Sequence, residues 1–178
     1  MMSKSLHPSW IELATRGADC ALGIVRFDFG GVLSEGSHAG TAFAGRIEYN
    51  LSTQPTERHC AFAIYDRWSA PIVTVAIGGQ MMMAEGAAVY EGVDDGAGGR
   101  HDFVTMFGKG PADGRDGAAH FELLFANEQA ALDSVAMPSA ARLQGMPIKQ
   151  LSFGTNAPRN VISRGDFTLR VPRSIGAP

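Results

Sequence analysis

Cysteine is nearly absent from this sequence: Cys20 and Cys60 are the two among 178 residues. A dense disulfide framework is therefore excluded as the source of stability. Spacing alone does not decide whether the two pair, and both are expected as buried thiols. Long apolar runs are missing too, with nothing approaching the length of a membrane-spanning helix. The start, MMSKSLHPSW, has one lysine and no apolar core of signal-peptide length. These absences set the expectation of a cytoplasmic protein without membrane association, exported only if a leader has been cut away.

Strong charge of one sign is also lacking, since the net charge is -3. No global field favours nucleic acid or an anionic membrane surface. From Arg142 onward six basic residues (Arg142, Lys149, Arg159, Arg164, Arg170 and Arg173) face one acid, Asp166. The only aromatic residues among them are Phe153 and Phe167, too few for a base-stacking stripe, so a solvated strand face is expected there and no nucleic-acid partner. Several catalytic signatures are missing as well. There is no HxH, HExxH or GxSxG, and Gly108-Lys109-Gly110 lacks the GK[ST] ending of a phosphate loop. Asp94, Asp95 and Asp102 around GAGG match no calcium-loop spacing. His59 and Cys60 are adjacent, which on a strand sends them to opposite faces. Neither a cofactor nor a bound metal is expected.

Glycine is abundant, at 22 residues, and it is spread along the chain without a period. That suits a fold with many tight turns. Period-2 alternation recurs throughout. The segment 99–127, GRHDFVTMFGKGPADGRDGAAHFELLFAN, reads as a β-hairpin. Phe121, Leu123 and Phe125 share one face of its second strand, and Phe103, Thr105 and Phe107 share one face of its first. Pairing Thr105 with Phe121 would bring these apolar faces together and leave Asp102, His120 and Glu122 on the wet side.

The rest of the chain repeats this texture. Val25, Phe27 and Phe29 alternate with Arg26 and Asp28, with a bend or bulge expected at Gly30-Gly31. Phe43, Gly45, Ile47 and Tyr49 alternate with Arg46 and Glu48. CAFAIYDRW, AAVYEGV, IKQLSFG and NVISRGDFTLRVP read as further strands, and Ile72 to Ile77 as one covered on both sides. Ser9 to Arg16 carries helix signals, a serine cap and Gly17 after the last basic residue. Residues 127–147 read as an irregular crossing connection, with room for one helical turn around Gln129 to Asp133. The expectation is a single all-β domain over 1–178, after a helical lead-in over 1–20. It would hold nine or ten antiparallel strands in a sandwich or a closed barrel.

The strand ending GRIEYN, the run APIVTVAIGGQMMM, the turn VYEGVDDG and the segment AAHFELLFAN with its sequel LDSVAMPSAARL together resemble a known family. They resemble the β-rich domains of bacterial exported proteins that carry a C-terminal PEP-CTERM sorting segment. The likeness covers roughly residues 24–155 and implies a β-rich architecture and no particular reaction. The chain departs from that family in having neither its leader nor its sorting tail.

Four residues stand out as candidate catalytic groups. His120 and Glu122 put an imidazole and a carboxylate on one strand face, to which Asp102 of the paired strand would add a third group for acid-base work or a metal. Tyr65 and Arg67 would share a strand face near Trp68 and could hold a planar anion by stacking and bidentate hydrogen bonds. Met81 and Met83 could line one apolar cavity. Two functions follow. In one, a barrel or sandwich binds a hydrophobic small molecule and isomerises or cyclises it without a cofactor. In the other, a non-catalytic interaction or assembly module acts through its outer face, with a homo-oligomer among its forms.

Overall fold

The computed structural model describes residues 23–66, 68–94, 100–113, 117–128, 132, 134–155 and 161–172. The expected helix at Ser9–Arg16, Cys20 and Arg67 lie outside them. The strands are β1 (Ile24–Val32), β2 (Ala42–Asn50), β3 (Glu57–Arg58), β4 (Phe62–Tyr65), β5 (Ile72–Ile77), β6 (Gln80–Asp94), β7 (Arg100–Asp113), β8 (Gly117–Asn127), β9 (Ile148–Thr155) and β10 (Val161–Arg170). One short helix, α1 (Ala140–Gly145), precedes β9.

Every pairing is antiparallel, and the order β6-β5-β2-β1-β10-β9-β8-β7 closes on itself because β7 also pairs with β6. The result is an eight-stranded barrel with β4 and β3 added outside the ring. The 15-residue β6 makes this addition possible. Its first part pairs with β5 through Gln80–Met83, and its later part turns the same edge to β4 through Ala87–Tyr90. Between the two, the register slips at Glu85 against β7, a bulge that bends the strand.

Alternation fills the barrel. Val25, Phe27 and Phe29 of β1, Phe43, Ile47 and Tyr49 of β2, and Val73, Val75 and Ile77 of β5 are all buried in one cluster. Phe121, Leu123 and Phe125 of β8 join them with Leu151, Phe153 and Phe167 from the far side. Glycine makes room for these rings. Phe29 stands opposite Gly45 and Phe43 opposite Gly31, and a methyl group on either glycine would collide with its partner's ring. Each ring thus covers the backbone of a residue with no side chain, which allows tight curvature without a void. The bend expected at Gly30-Gly31 does not interrupt the pairing, as the β1–β2 register runs unbroken from Ile24↔Asn50 to Val32↔Ala42.

Residues beyond β8 stopper one end of the barrel. Leu132, Val135, Met137, Leu143 and Met146 are buried there. Tyr49 donates its hydroxyl hydrogen to the Pro138 carbonyl at 2.7 Å, and Tyr65 donates to that of Val135 at 3.3 Å. The helix in this segment is α1, capped by Ser139, whose Oγ accepts from the Arg142 N–H at 3.4 Å. It lies downstream of the turn expected around Gln129 to Asp133, where only Leu132 falls among the described residues, and outside any helix.

Three expectations need correction. The 99–127 hairpin is β7–β8, and β8 turns the expected face inward, but β7 turns the opposite one. Val104 and Met106 are fully buried, while Phe103, Thr105 and Phe107 point outward, with Thr105 opposite Leu124. Two features outweigh the aromatic pattern. Asp102, on the inward face, is fully buried because its carboxylate accepts from the Gly92 N–H at 2.6 Å and the Leu132 N–H at 2.5 Å. Of the outward rings, Phe103 is covered: it stacks on Tyr90 at 4.4 Å, Tyr90 on Phe62 at 5.9 Å and Phe62 on His59 at 4.2 Å, while Phe107 stays 41% exposed. Second, β5 is covered on its inner side only, since a barrel has one interior, and Ile72 is exposed. Third, Cys60 is an exposed free thiol, because it follows the short β3 and precedes β4.

Candidate functional site

The register of β7, β8 and β9 brings two candidate residues together on the outer wall. His120 lies opposite Lys109 on one side and Gly154 on the other, and Glu122 lies opposite Phe107 and Ser152. Because Gly154 has no side chain, the wall dips between His120 and Ile162, which pairs with Gly154 from β10. The bulge in β6 sends Glu85 outward at the same level, and Gly86 beside it seats the Phe107 ring. An open groove of 650 Å³ results, lined by Glu85, Phe107, Lys109, His120, Glu122 and Ile162.

Its chemistry is mixed. Two carboxylates accept, an ammonium donates, an imidazole does either, and Phe107 and Ile162 supply apolar contact. His120 and Glu122 are two residues apart on one strand, about 7 Å along it. That spacing brackets a bound group more readily than it makes a direct proton-sharing pair. Asp102 does not join them, since it points inward. Among the described residues, no three His, Cys, Asp or Glu side chains cluster so as to hold a metal ion.

Tyr65 lies elsewhere. Its ring is wholly buried, and burial raises the phenol pKa. Strand β4 ends at Tyr65, so the expected stacking face with Arg67 is not formed by this ring. Asp66 begins a turn, its carboxylate accepting from the N–H of Trp68 at 3.0 Å and of Ser69 at 3.3 Å; these bonds lower its pKa. Met81 and Met83 face outward from β6, and Met82 is the buried one. The methionine pair therefore lines no internal cavity, and Met83 lies opposite Lys109 on the outer wall. Among the described residues, no buried side-chain nitrogen or oxygen lacks a hydrogen-bond partner, so the interior presents no unpaired polar group to a ligand.

A second polar cluster sits at the barrel end away from the stopper. The His38 N–H donates to Ser163 Oγ at 3.1 Å, and His38 Nδ1 lies 3.3 Å from that oxygen and 2.9 Å from Ser37 Oγ. The imidazole also meets the Phe153 ring edge-on at 5.1 Å. This resembles a serine-histidine pair, but Ser163 is fully buried beneath the 33–41 loop. The cluster fastens that loop to β10.

The hairpin strand was legible as far as Phe107. Lys109 follows in the same alternation, though its glycine neighbours mark it as turn. Glu85 had no signal, since a bulge inside a long strand leaves no periodic trace. Ile162 and Gly154 enter the groove through pairings between distant segments. No protein family, curated protein or solved structure matches the chain.

Proposed function

We propose that this protein is an assembly module: a filled β-barrel that associates through the outer wall of β6, β7 and β8, with a second copy of itself as partner. One observation carries the reading. Phe107 and Ile162 line the groove at 41% and 47% exposure, and Met83 beside Lys109 and Met81 further along β6 are 57% and 59% exposed on the same outer wall, while the interior is occupied by packed rings. The wall over β1 and β2 contrasts with it, being laced by ion pairs between Arg26 and Glu48 at 2.8 Å and between Arg46 and Asp28 at 2.7 Å. An apolar patch set among charges has the composition of a recognition surface.

Self-association fits the charges. Glu85 and Glu122 stand with Lys109 and Arg164, the last reached from Glu122 through the Ser152 pairings. A two-fold axis through such a patch sets acids of one copy against bases of the other. Sedimentation velocity at about 100 µM, well above a micromolar Kd, tests the reading. A dimer is expected, together with a folded monomer for Phe107→Glu. A monomeric wild type, or an undisturbed dimer in that variant, would overturn it.

A second reading is a hydrophobic small molecule held in the same groove, with His120 and Glu122 as the acid-base groups of a cofactor-free isomerase or cyclase. The 650 Å³ volume favours it, being in the range of small-molecule sites. Native mass spectrometry separates the two: a few hundred daltons lost on denaturation speak for a captured ligand, and a bare multiple of the chain for assembly.

A further inference from the structure

At the stoppered end, β10 outruns its partner. The β9–β10 register runs from Val161↔Thr155 to Asp166↔Gln150. Continued, it would set Leu169 opposite Pro147, but proline has no N–H to give to a ladder and β9 begins at Ile148. Strand β10 nevertheless continues to Arg170, held on its other side by β1 through Gly31↔Phe167 to Asp28↔Arg170. The missing stretch of partner leaves a slot of 510 Å³ between β10 and the α1–β9 junction, lined by Gln144, Pro147, Lys149, Phe167 and Leu169, with Ile148, Asp166 and Thr168 on its outer side.

The slot has an apolar wall and a polar end. Arg164 exchanges backbone hydrogen bonds with Glu35, toward β1. By alternation along β10 the N–H and C=O of Leu169 point the other way, into the slot. Lys149 stands opposite the buried Phe125 and donates from Nζ to the Met146 carbonyl, which leaves two of its three hydrogens for another acceptor. Burial lowers the Lys149 pKa, so an anion at the ammonium would relieve that cost. Asp166 is the acid at the rim, and it is exposed on the outer face.

We propose that this slot binds a small carboxylate with an unbranched apolar tail, the Lys149 ammonium and the Leu169 N–H taking the carboxylate, and Pro147, Phe167 and Leu169 the tail. The volume suits an acid of about eight carbons lying along the open slot. The inference is independent of the outer wall.

The test is a titration of the isotope-labelled full chain with octanoate, followed by amide resonances. Saturable shifts at Lys149 and Leu169 are expected, and octylammonium, of equal tail and opposite charge, should not reproduce them. Lys149→Met should weaken octanoate about tenfold or more, the loss of one charge-assisted contact. Absence of saturable shifts, or equal binding of octylammonium, would overturn the assignment using the wild type alone. Unchanged octanoate affinity in a folded Lys149→Met variant would do so as well.

Discussion

Asp102 gives the sharpest test of how this barrel is held shut. Its carboxylate accepts the Gly92 N–H at the irregular end of β6 and the Leu132 N–H of the stopper segment, at 2.6 and 2.5 Å. Hydrogen bonds from backbone to a charged acceptor contribute about 1.5–3 kcal/mol each, and a buried donor left without a partner costs about 1–3 kcal/mol. Asp102→Ala removes both acceptors at a fully buried position. We expect it to cost about 3–5 kcal/mol, a large share of a stability of about 5–15 kcal/mol. Asp102→Asn keeps the volume but turns an NH₂ group toward one of the two N–H donors, so about 2–3 kcal/mol should be lost. Urea titration gives the totals, and amide hydrogen exchange gives the place. Protection of Gly92 and Leu132 should fall furthest in both variants. A loss below about 1 kcal/mol for Asp102→Ala, or Asn as stable as Asp, would refute the claim that this carboxylate closes the barrel end.

Other consequences can be measured in the same way. Phe121→Ala should cost about 3–5 kcal/mol by urea titration, and a loss under about 1 kcal/mol would overturn the inward assignment of β8. Met106→Ala should cost about 2–5 kcal/mol and exceed the loss for Phe107→Ala; the reverse order would mean that β7 turns its other face inward. Burial raises the Tyr49 pKa far above its ordinary 10.0, so the folded state holds the proton after the unfolded chain has released it. Its contribution is complete below pH 10 and declines above it, by about 1.4 kcal/mol per pH unit. Tyr49→Phe should flatten that alkaline slope, measured by urea titration from pH 9 to 11.5, and an unchanged slope would count against Tyr49 as its source. Lys149 acts with the opposite sign. Its pKa is lowered below 10.5, so stability gains as pH rises through the folded pKa, and Lys149→Met should remove this gain.

Much of the fold was legible because alternation is a local property. The strands carrying Phe27, Ile47, Phe121 and Phe167 each show their two faces without help from the rest of the chain. Ten strands with turn-forming glycines between them then leave a sandwich or a barrel as the economical arrangements. What alternation cannot supply is which face wins when both have a claim. On β7 one face has two phenylalanines and the other an aspartate with Val104 and Met106. Ranked by hydrophobicity alone, the first goes inward. The actual outcome depends on Gly92 and Leu132, which supply the N–H groups that let Asp102 be buried, on Tyr90, which covers Phe103, and on Gly86, against which the Phe107 ring lies. The candidate site was half legible for the same reason. His120 and Glu122 were visible as a pair on one strand, but the groove around them needs the bulge at Glu85 and the missing side chain of Gly154.

The phenylalanine-glycine pairs bear on where function can reside. In the interior, Phe29 over Gly45 and Phe43 over Gly31 put large rings where the wall has no side chain, so curvature is gained without opening space. Emptying such a barrel to hold a ligand would require smaller residues at these positions, and Leu123, Phe125, Leu151 and Phe153 fill the opposite side. On the outer wall the same pairing, Phe107 over Gly86, has another effect. The ring lies against the strand yet leaves 41% of the residue exposed, beside Glu85 and Lys109. One local device therefore closes the inside and furnishes the outside with a fixed apolar anchor among charges. A ring already seated loses little conformational freedom when something docks on it, which favours the outer wall over the interior as the place of recognition.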